Sequence, residues 1–365
     1  MNPLKEMRDS MTQQNRKDEH VHLFRELYHV SDNDFDGVRF VHHSIPETKV
    51  DDVDLSTKIG PIKLKYPIFI NAMTGGSKHT MKINEQLAIV CRETNLAMAT
   101  GSMSVALKYP EARKSFEVIR KVNPNGIVFA NIGANHGLED AKRIIHYVEA
   151  DALQIHINAP QELVMPEGDC DFTSWLYNIE TIVRGVNVPV IVKEVGFGMS
   201  RETVRLLSSI GVKIIDVSGR GGTNFIRIEN ERRSDNGFYY LSNWGQSTVI
   251  SLLEANIMDN NPLEMIASGG IRHMLDVVKA LALGAKAVGI AGRYLHYLLE
   301  QGIDALINLV ENDINELGIL YALLGSSNWQ GLQYTDLIFN NEIISWCESR
   351  LINVKQFARR SQRLY

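Results

Sequence analysis

Short apolar runs of β-strand length recur along the chain: YPIFINAM (66–73), LAMATGS (96–102), GIVFANIG (126–133), ADALQIHIN (150–158), PVIVKEVG (189–196), KIIDVSG (213–219), EMIASGG (264–270) and AVGIAG (287–292). Most are followed by a segment whose apolar positions have helical spacing, such as NEQLAIVCRETN, EARKSFEVIRKV, EDAKRIIHYVE and HMLDVVKALALG. Strongly apolar strands alternating with amphipathic helices predict a parallel sheet covered by helices. Eight such units predict an α/β fold, the closed (β/α)8 TIM barrel; a doubly wound open sheet has the same periodicity and is the alternative. The run around residue 155 also alternates in polarity. Gln154, His156 and Asn158 share one side of that strand, and Leu153, Ile155 and Ile157 share the other.

A plain barrel needs about 250 residues, so this 365-residue chain has a surplus. The pattern divides it into an N-terminal extension (1–65), a barrel (66–293) and a helical C-terminal tail (294–365) that ends in the basic RRSQRLY. Residues 219–244, between the sixth and seventh strands, are rich in Gly, Arg and Asn and too long for a simple connector. They leave the strand end where barrels keep their active sites, and we read them as a lid.

Composition narrows the classes. A formal charge of −5 and a pI near 6.1 argue against nucleic acid or an anionic membrane as the main partner. Cys91, Cys170 and Cys347 are scattered with no metal-type spacing, which points to a reducing, cytoplasmic setting. No uncharged apolar run approaches the ~20 residues of a membrane helix, and the polar N-terminus lacks a signal-peptide pattern.

The chemistry gathers at the strand ends. These carry Asn71 to Gly76, Thr100 to Ser104, Asn131, His156 with Asn158, Lys193 with Glu194, Ser218 to Thr223, Ser268 to Arg272, and Ala291 to Arg293. Lys193 stands two residues beyond Ile191 on the same strand face, and a lysine there needs an anionic partner. SGRGGT, SGGIR and AGR expose backbone N–H groups with little side-chain obstruction, and loops after the seventh and eighth barrel strands commonly bind phosphate. FMN fits this ring of groups; a phosphorylated substrate without flavin is the alternative from these residues alone.

The combination of NRKDEH (15–20), NAMTGG, TGSM, HINAPQE, PEGD-x-DF, VKEVGFG, SGRGGT, SGGIR and AG resembles type II isopentenyl-diphosphate Delta-isomerase over nearly the whole chain. The resemblance implies interconversion of isopentenyl and dimethylallyl diphosphate by a 1,3-proton shift, with reduced FMN, NAD(P)H as the reductant, and Mg2+. It implies FMN contacts from Ala72, Met73, Thr74, Ser102, Asn131, Lys193, Ser218 and Thr223, with Gly270, Ile271, Arg272, Ala291 and Gly292 at the phosphate. The substrate would meet Arg16 and Lys17 of the extension, Ser102, Met103, Ser104, His156 and Gln161, and Glu162 would ligate the metal. A homotetramer or larger assembly is also implied.

The physical chemistry agrees with that division. Arg and Lys match a diphosphate, and Mg2+ takes few carboxylates beside substrate oxygens and water. Protonating an unactivated alkene is poorly matched to ordinary carboxylic acids, so the expectation is that reduced flavin delivers or mediates the proton. Gln161 is a poor base and is expected to orient or relay, with His156 beside it and Glu229 of the lid as a further candidate. Glu167 and Asp169 are expected to support their loop. Cys170 stands where the family would have Arg, and Met11 reads as an alternative start that makes the first ten residues dispensable. The rival enzyme reading, an FMN-dependent 2-hydroxyacid oxidase or dehydrogenase, wants a His–Arg pair for a carboxylate substrate. An inosine-monophosphate-type dehydrogenase wants a nucleophilic Cys that SGRGGTN lacks. A bare phosphate- or flavin-binding module is the non-enzyme alternative.

Overall fold

Eight parallel strands close on themselves, which leaves the sheet without an edge. The computed structural model describes residues 16–233, 237–256 and 263–364; Met11 and its neighbours lie outside them. Helix α1 (residues 16–27), strand β1 (Val38–Phe40) and the hairpin of β2 (Thr57–Ile59) and β3 (Ile62–Leu64) precede the barrel. The barrel strands are β4 (Ile68–Ile70), β5 (Ala97–Ala99), β6 (Val128–Gly133), β7 (Ala152–Ile157), β8 (Val190–Glu194), β9 (Ile214–Asp216), β10 (Glu264–Ser268) and β11 (Ala285–Ile290). They follow one another around the barrel in chain order, and β11 pairs back onto β4. Each overlaps one of the eight apolar runs, so the barrel is the fold and the open sheet is excluded.

The connecting helices are α2 (Lys78–Thr94), short α3 (Ser104–Lys108), α4 (Pro110–Val122), α5 (Leu138–Val148), short α6 (Ala159–Val164), α7 (Trp175–Gly185), α8 (Arg201–Ser209), α9 (Phe225–Arg232), α10 (Thr248–Asn256) and α11 (Met274–Ala282). Helix α9 lies inside the segment read as a lid. Asn224 accepts from the Arg227 N–H to cap it, and Ile226 and Ile228 are buried beneath it.

Strand parity builds the interior in layers. Phe69, Phe129, Ala152, Ile191, Ile214 and Ile266 pack inside the barrel, and Ile59 and Leu64 of the β2–β3 hairpin join the same cluster. Two residues onward, the same faces carry Asn71, Asn131, Gln154, Lys193, Asp216 and Ser268, all buried. The floor of the mouth is therefore polar and rests on an apolar base. Leu153 and Ile155 face outward into the helix-covered core.

Beyond the barrel, α12 (Gly292–Gln301) and α13 (Ile303–Leu323) supply the expected helices. The tail also contains a strand, β12 (Leu337–Phe339), antiparallel to β1 with Val38 opposite Phe339. Extension and tail thus share one two-stranded sheet. Among the described residues, no helix is long and apolar enough to cross a membrane.

Candidate active site

A cavity of about 1600 Å³ opens at the C-terminal ends of the strands. Arg16, Lys17, Ala72, Met73, Thr74, Ser102, Ser104, Asn131, His156, Gln161, Glu162, Lys193, Ser218, Thr223, Gly270, Ile271, Arg272, Ala291 and Gly292 all line it. Met103 does not line it. Its side chain is fully buried in the outer core, and its N–H donates to the Asn131 carbonyl at 2.8 Å. It anchors the turn that presents Ser102 and Ser104, whose hydroxyls are 3.1 Å apart.

The polar floor is hydrogen-bonded throughout. Asn71 Nδ2 donates to Asp216 Oδ2 at 3.0 Å, Gln154 Nε2 to Asn71 Oδ1 at 3.1 Å, and Asn131 Nδ2 to Gln154 Oε1 at 3.0 Å. His156 Nδ1 is 2.8 Å from Asn131 Oδ1. Burial, with the charges of Lys17 and Lys193, pushes the imidazole pKa down to about 3, opposed by the Ile132 carbonyl. His156 is therefore neutral at physiological pH. Lys193 Nζ donates to the Glu194 carbonyl at 3.0 Å but is held only at 3.5 and 3.4 Å by Asp216 and the Ser218 hydroxyl. Its three N–H donors thus meet three acceptors, two of them at the long end of hydrogen-bond range. Ser218 takes a φ of +30°, a strained value for a residue with a side chain.

Helix α1 roofs the mouth. Lys17, His20, Val21 and Phe24 have the i, i+3, i+4, i+7 spacing of one helix face, and all line the cavity. Val21 and Phe24 are buried and dock it, while Asp18 accepts from the Ser77 hydroxyl at 2.5 Å. Burial beside Arg16 lowers the Lys17 pKa to about 8, against the pull of Glu229 and Glu162. Glu229 does not line the cavity but sits behind Gln161, whose Nε2 donates to it at 2.8 Å. Burial opposes its ionisation, yet the His20 imidazole 3.1 Å away and hydrogen bonds from Gln161 and Arg232 hold its carboxyl down at about 2. Arg232 meets three carboxylates from three segments: Glu229 at 2.5 Å, Glu167 at 2.6 Å and Glu19 at 3.0 Å.

Glu162 is held by Asn158 Nδ2 and by the Asp169 N–H, each at 3.0 Å. The turn behind it is tight: a Cβ on Gly168 would fall 1.8 Å from the Glu162 carbonyl oxygen, so glycine is required there. Glu167 and Asp169 support this loop, Glu167 through Arg232 and Arg16, and Asp169 through its backbone. Cys170 is exposed. Among the described residues, no group of three or more His, Cys, Asp or Glu side chains converges as a self-sufficient metal cage.

On the opposite wall the loops after β9 and β10 meet backbone to backbone, with the loop after β11 beside them. A Cβ on Gly222 would lie 2.9 Å from the Gly270 nitrogen, and one on Gly269 only 2.2 Å from the Gly219 oxygen. Gly269 and Gly270 also take φ of +88° and +77°. The N-terminus of α12 begins beside this cradle at Gly292. Arg272 lines it, but its guanidinium is committed to Asp36 at 2.7 Å and Asp276 at 3.0 Å. Sequence reasoning assigned no role to Asp216, Gln154, Arg232, His20 or Asn33. Asn33 donates to the Gly270 carbonyl at 2.9 Å across 237 positions of chain. The one legible signal was the interior parity of Gln154 and Asp216.

Known proteins resemble this architecture. A family model described as FMN-dependent dehydrogenase matches residues 156–338. An isopentenyl-diphosphate delta-isomerase of Staphylococcus epidermidis is 49% identical over 350 residues, covering 96% of this chain and 100% of the relative. One of Staphylococcus haemolyticus is 49% identical over 93% of this chain and 97% of its own. Among solved structures, a flavocytochrome b2 mutant with pyruvate bound superposes with a TM-score of 0.66 at 20% identity, covering 91% of this chain and 84% of that one. A mandelate oxidase mutant with benzaldehyde gives 0.62 at 16% identity, over 90% and 98%. Those two likenesses concern the fold.

Proposed function

The chain belongs to the isopentenyl-diphosphate delta-isomerase family, within the FMN-dependent dehydrogenase fold family, and on that premise we propose that it interconverts isopentenyl and dimethylallyl diphosphate by a 1,3-proton shift. The observation that carries this reading is one cavity with two anion sites, a side-chain-free backbone cradle on one wall and the Arg16–Lys17 face of α1 on the other.

The cradle fits a flavin phosphate, because its crowding excludes side chains and leaves backbone amides and the α12 N-terminus as the lining. Gly270, Ile271, Arg272, Ala291 and Gly292 would hold the phosphate, Arg272 through its backbone surroundings because its side chain is engaged. Lys193 and Asn131 would meet the polar edge of the ring, with Ala72, Met73, Thr74, Ser102, Ser218 and Thr223 around it. Bound there in its reduced form, with NAD(P)H as reductant, FMN supplies an electron-rich ring suited to mediating a proton and stabilising positive charge.

The remaining work falls to side chains. Arg16 and Lys17 neutralise the diphosphate. Glu162, which lines the cavity, would hold Mg2+ as one protein carboxylate, with substrate oxygens and water completing the shell. Gln161, held through Nε2 by ionised Glu229, is fixed in orientation beside the substrate. Glu229 is too weakly basic to abstract a proton, so its part is to orient Gln161 and balance the charge of Arg232. His156, neutral, stays on the wall as a hydrogen-bonding group. Phe24 and Val21 close the roof and keep water out. Tyr240 and Trp244, exposed, offer apolar surface for a homotetramer or larger assembly.

The test is anaerobic incubation of the protein with FMN, NAD(P)H, Mg2+ and isopentenyl diphosphate, followed by product analysis. Formation of dimethylallyl diphosphate is expected. No conversion, together with oxidation of a 2-hydroxy acid, would overturn the reading in favour of the oxidase.

A further inference from the structure

We propose that Asp216 is a positioning residue: through a one-way ladder of three buried amides it fixes His156 as the tautomer protonated on Nδ1, leaving Nε2 as an acceptor. The ladder stands on geometry alone. The consequence for catalysis rests on the isomerase reading.

Hydrogen-bond chemistry determines the direction at every step. The Asp216 carboxylate is fully buried and surrounded by donors: the Ser268 hydroxyl at 2.8 and 2.9 Å, the Ser218 N–H at 3.2 Å, Lys193 at 3.5 Å and Asn71 at 3.0 Å. The Ser218 N–H and the Lys193 amine can only donate, so both Asp216 oxygens serve as acceptors and Asn71 turns its NH2 toward them. A second contact fixes the same orientation, because Asn71 Oδ1 accepts from the Ala72 N–H at 2.8 Å. That oxygen faces Gln154, which must therefore present Nε2, at 3.1 Å. Gln154 Oε1 is then left toward Asn131, which must donate its Nδ2, at 3.0 Å. The Asn131 oxygen is left toward His156, so Nδ1 carries the hydrogen across the 2.8 Å contact.

Each amide is nearly sealed from solvent, with Asn71 and Asn131 2% exposed and Gln154 0%. Flipping any one of them would set donor against donor or acceptor against acceptor at two buried contacts, where water cannot compensate. The orientation is therefore propagated from β9 through β4 to β7 and β6, and back to β7. Nε2 keeps its lone pair on a residue that lines the cavity. An acceptor nitrogen beside the proton-shift site holds a donor hydrogen in place and does not release one. With the opposite tautomer the ring would present a competing donor.

The experiment is two-bond 15N–1H NMR on FMN-loaded protein with 15N-labelled histidine rings, the His156 signals being identified by their loss in His156→Gln. Wild type is expected to show the proton on Nδ1 and a lone pair on Nε2. Asp216→Leu removes the acceptor at the head of the ladder, so the His156 pattern should become mixed or invert. kcat should fall roughly 10- to 100-fold, as misoriented catalytic groups do, with KM changed far less. Gln154→Leu cuts the ladder with Asp216 intact and should give the same His156 change, which protects the test if Asp216→Leu fails to fold. A wild-type ring protonated on Nε2, or an unchanged Nδ1–H pattern in either folded variant, would overturn the proposal. A pattern that shifts as expected in a protein with no isomerase activity would instead overturn the reaction and leave the ladder standing.

Discussion

Glu229 stays ionised where burial alone would neutralise a carboxyl, because Gln161 and Arg232 hydrogen-bond to it and the His20 imidazole stands 3.1 Å away. Its folded pKa of about 2 lies below its ordinary 4.5, so its contribution to stability is complete above pH 4.5 and is lost as the pH falls toward 2. That contribution is about 3 kcal/mol. Urea unfolding of wild type and Glu229→Gln between pH 5 and pH 2 should show this loss in wild type, and a correspondingly flatter curve in the variant. Lys17 has the opposite sign. Its pKa of about 8 means that the free enzyme loses this charge as the pH rises through 8, so kcat/KM for the diphosphate should fall there. Lys17→Met should remove that limb and lower kcat/KM roughly 10- to 100-fold at pH 7. A wild-type profile flat from pH 7 to 9 would contradict the assignment. At this scale the sequence revealed interior parity at Gln154 and His156. It could not reveal that Asp216 orients both of them, because that needs the closed barrel to bring β4, β7 and β9 together.

Helix α1, α9 and the 165–169 loop are separate in sequence and are tied together by one guanidinium. Arg232 bonds to Glu19, Glu167 and Glu229, and its planar fork can serve several acceptors as a lysine cannot. Arg232→Met should leave Glu229 buried without its nearest cation, costing about 3–5 kcal/mol, and should raise KM more than it lowers kcat. Amide hydrogen exchange in residues 17–27 should quicken; unchanged protection there would show that α1 is docked by Val21 and Phe24 alone. Arg232→Lys should recover only part of the loss. The α1 face was visible as i, i+3, i+4, i+7 spacing in retrospect, but NRKDEH reads in isolation as a solvated charged terminus. Helix α9 was hidden for a related reason: FIRIENER is short and polar, and only Ile226 and Ile228 mark its buried side.

For the whole molecule, the eight strands were legible because a parallel barrel buries both faces of every strand and leaves near-continuous apolar runs. The tail was less so. Strand β12 is only three residues long, and β1, its partner, lies some 300 positions away, so no local pattern announces the pairing. Arg360 closes the tail onto the barrel, donating to the Ala282 carbonyl at 2.7 Å and the Thr335 carbonyl at 2.8 Å. Arg360→Met should cost about 1–3 kcal/mol per carbonyl left unpaired. Thermal unfolding should show a lower Tm while FMN affinity, measured by flavin fluorescence, stays near wild type. The hairpin β2–β3 has a different kind of consequence. Ile59 and Leu64 cork the far end of the barrel, so among the described residues the cavity opens at the strand ends, where α1 and Asn33 stand across its mouth. An occupant of the cradle would lie behind Phe24 and Asn33, so loading the cradle first should be easier than loading it after the α1 face is filled.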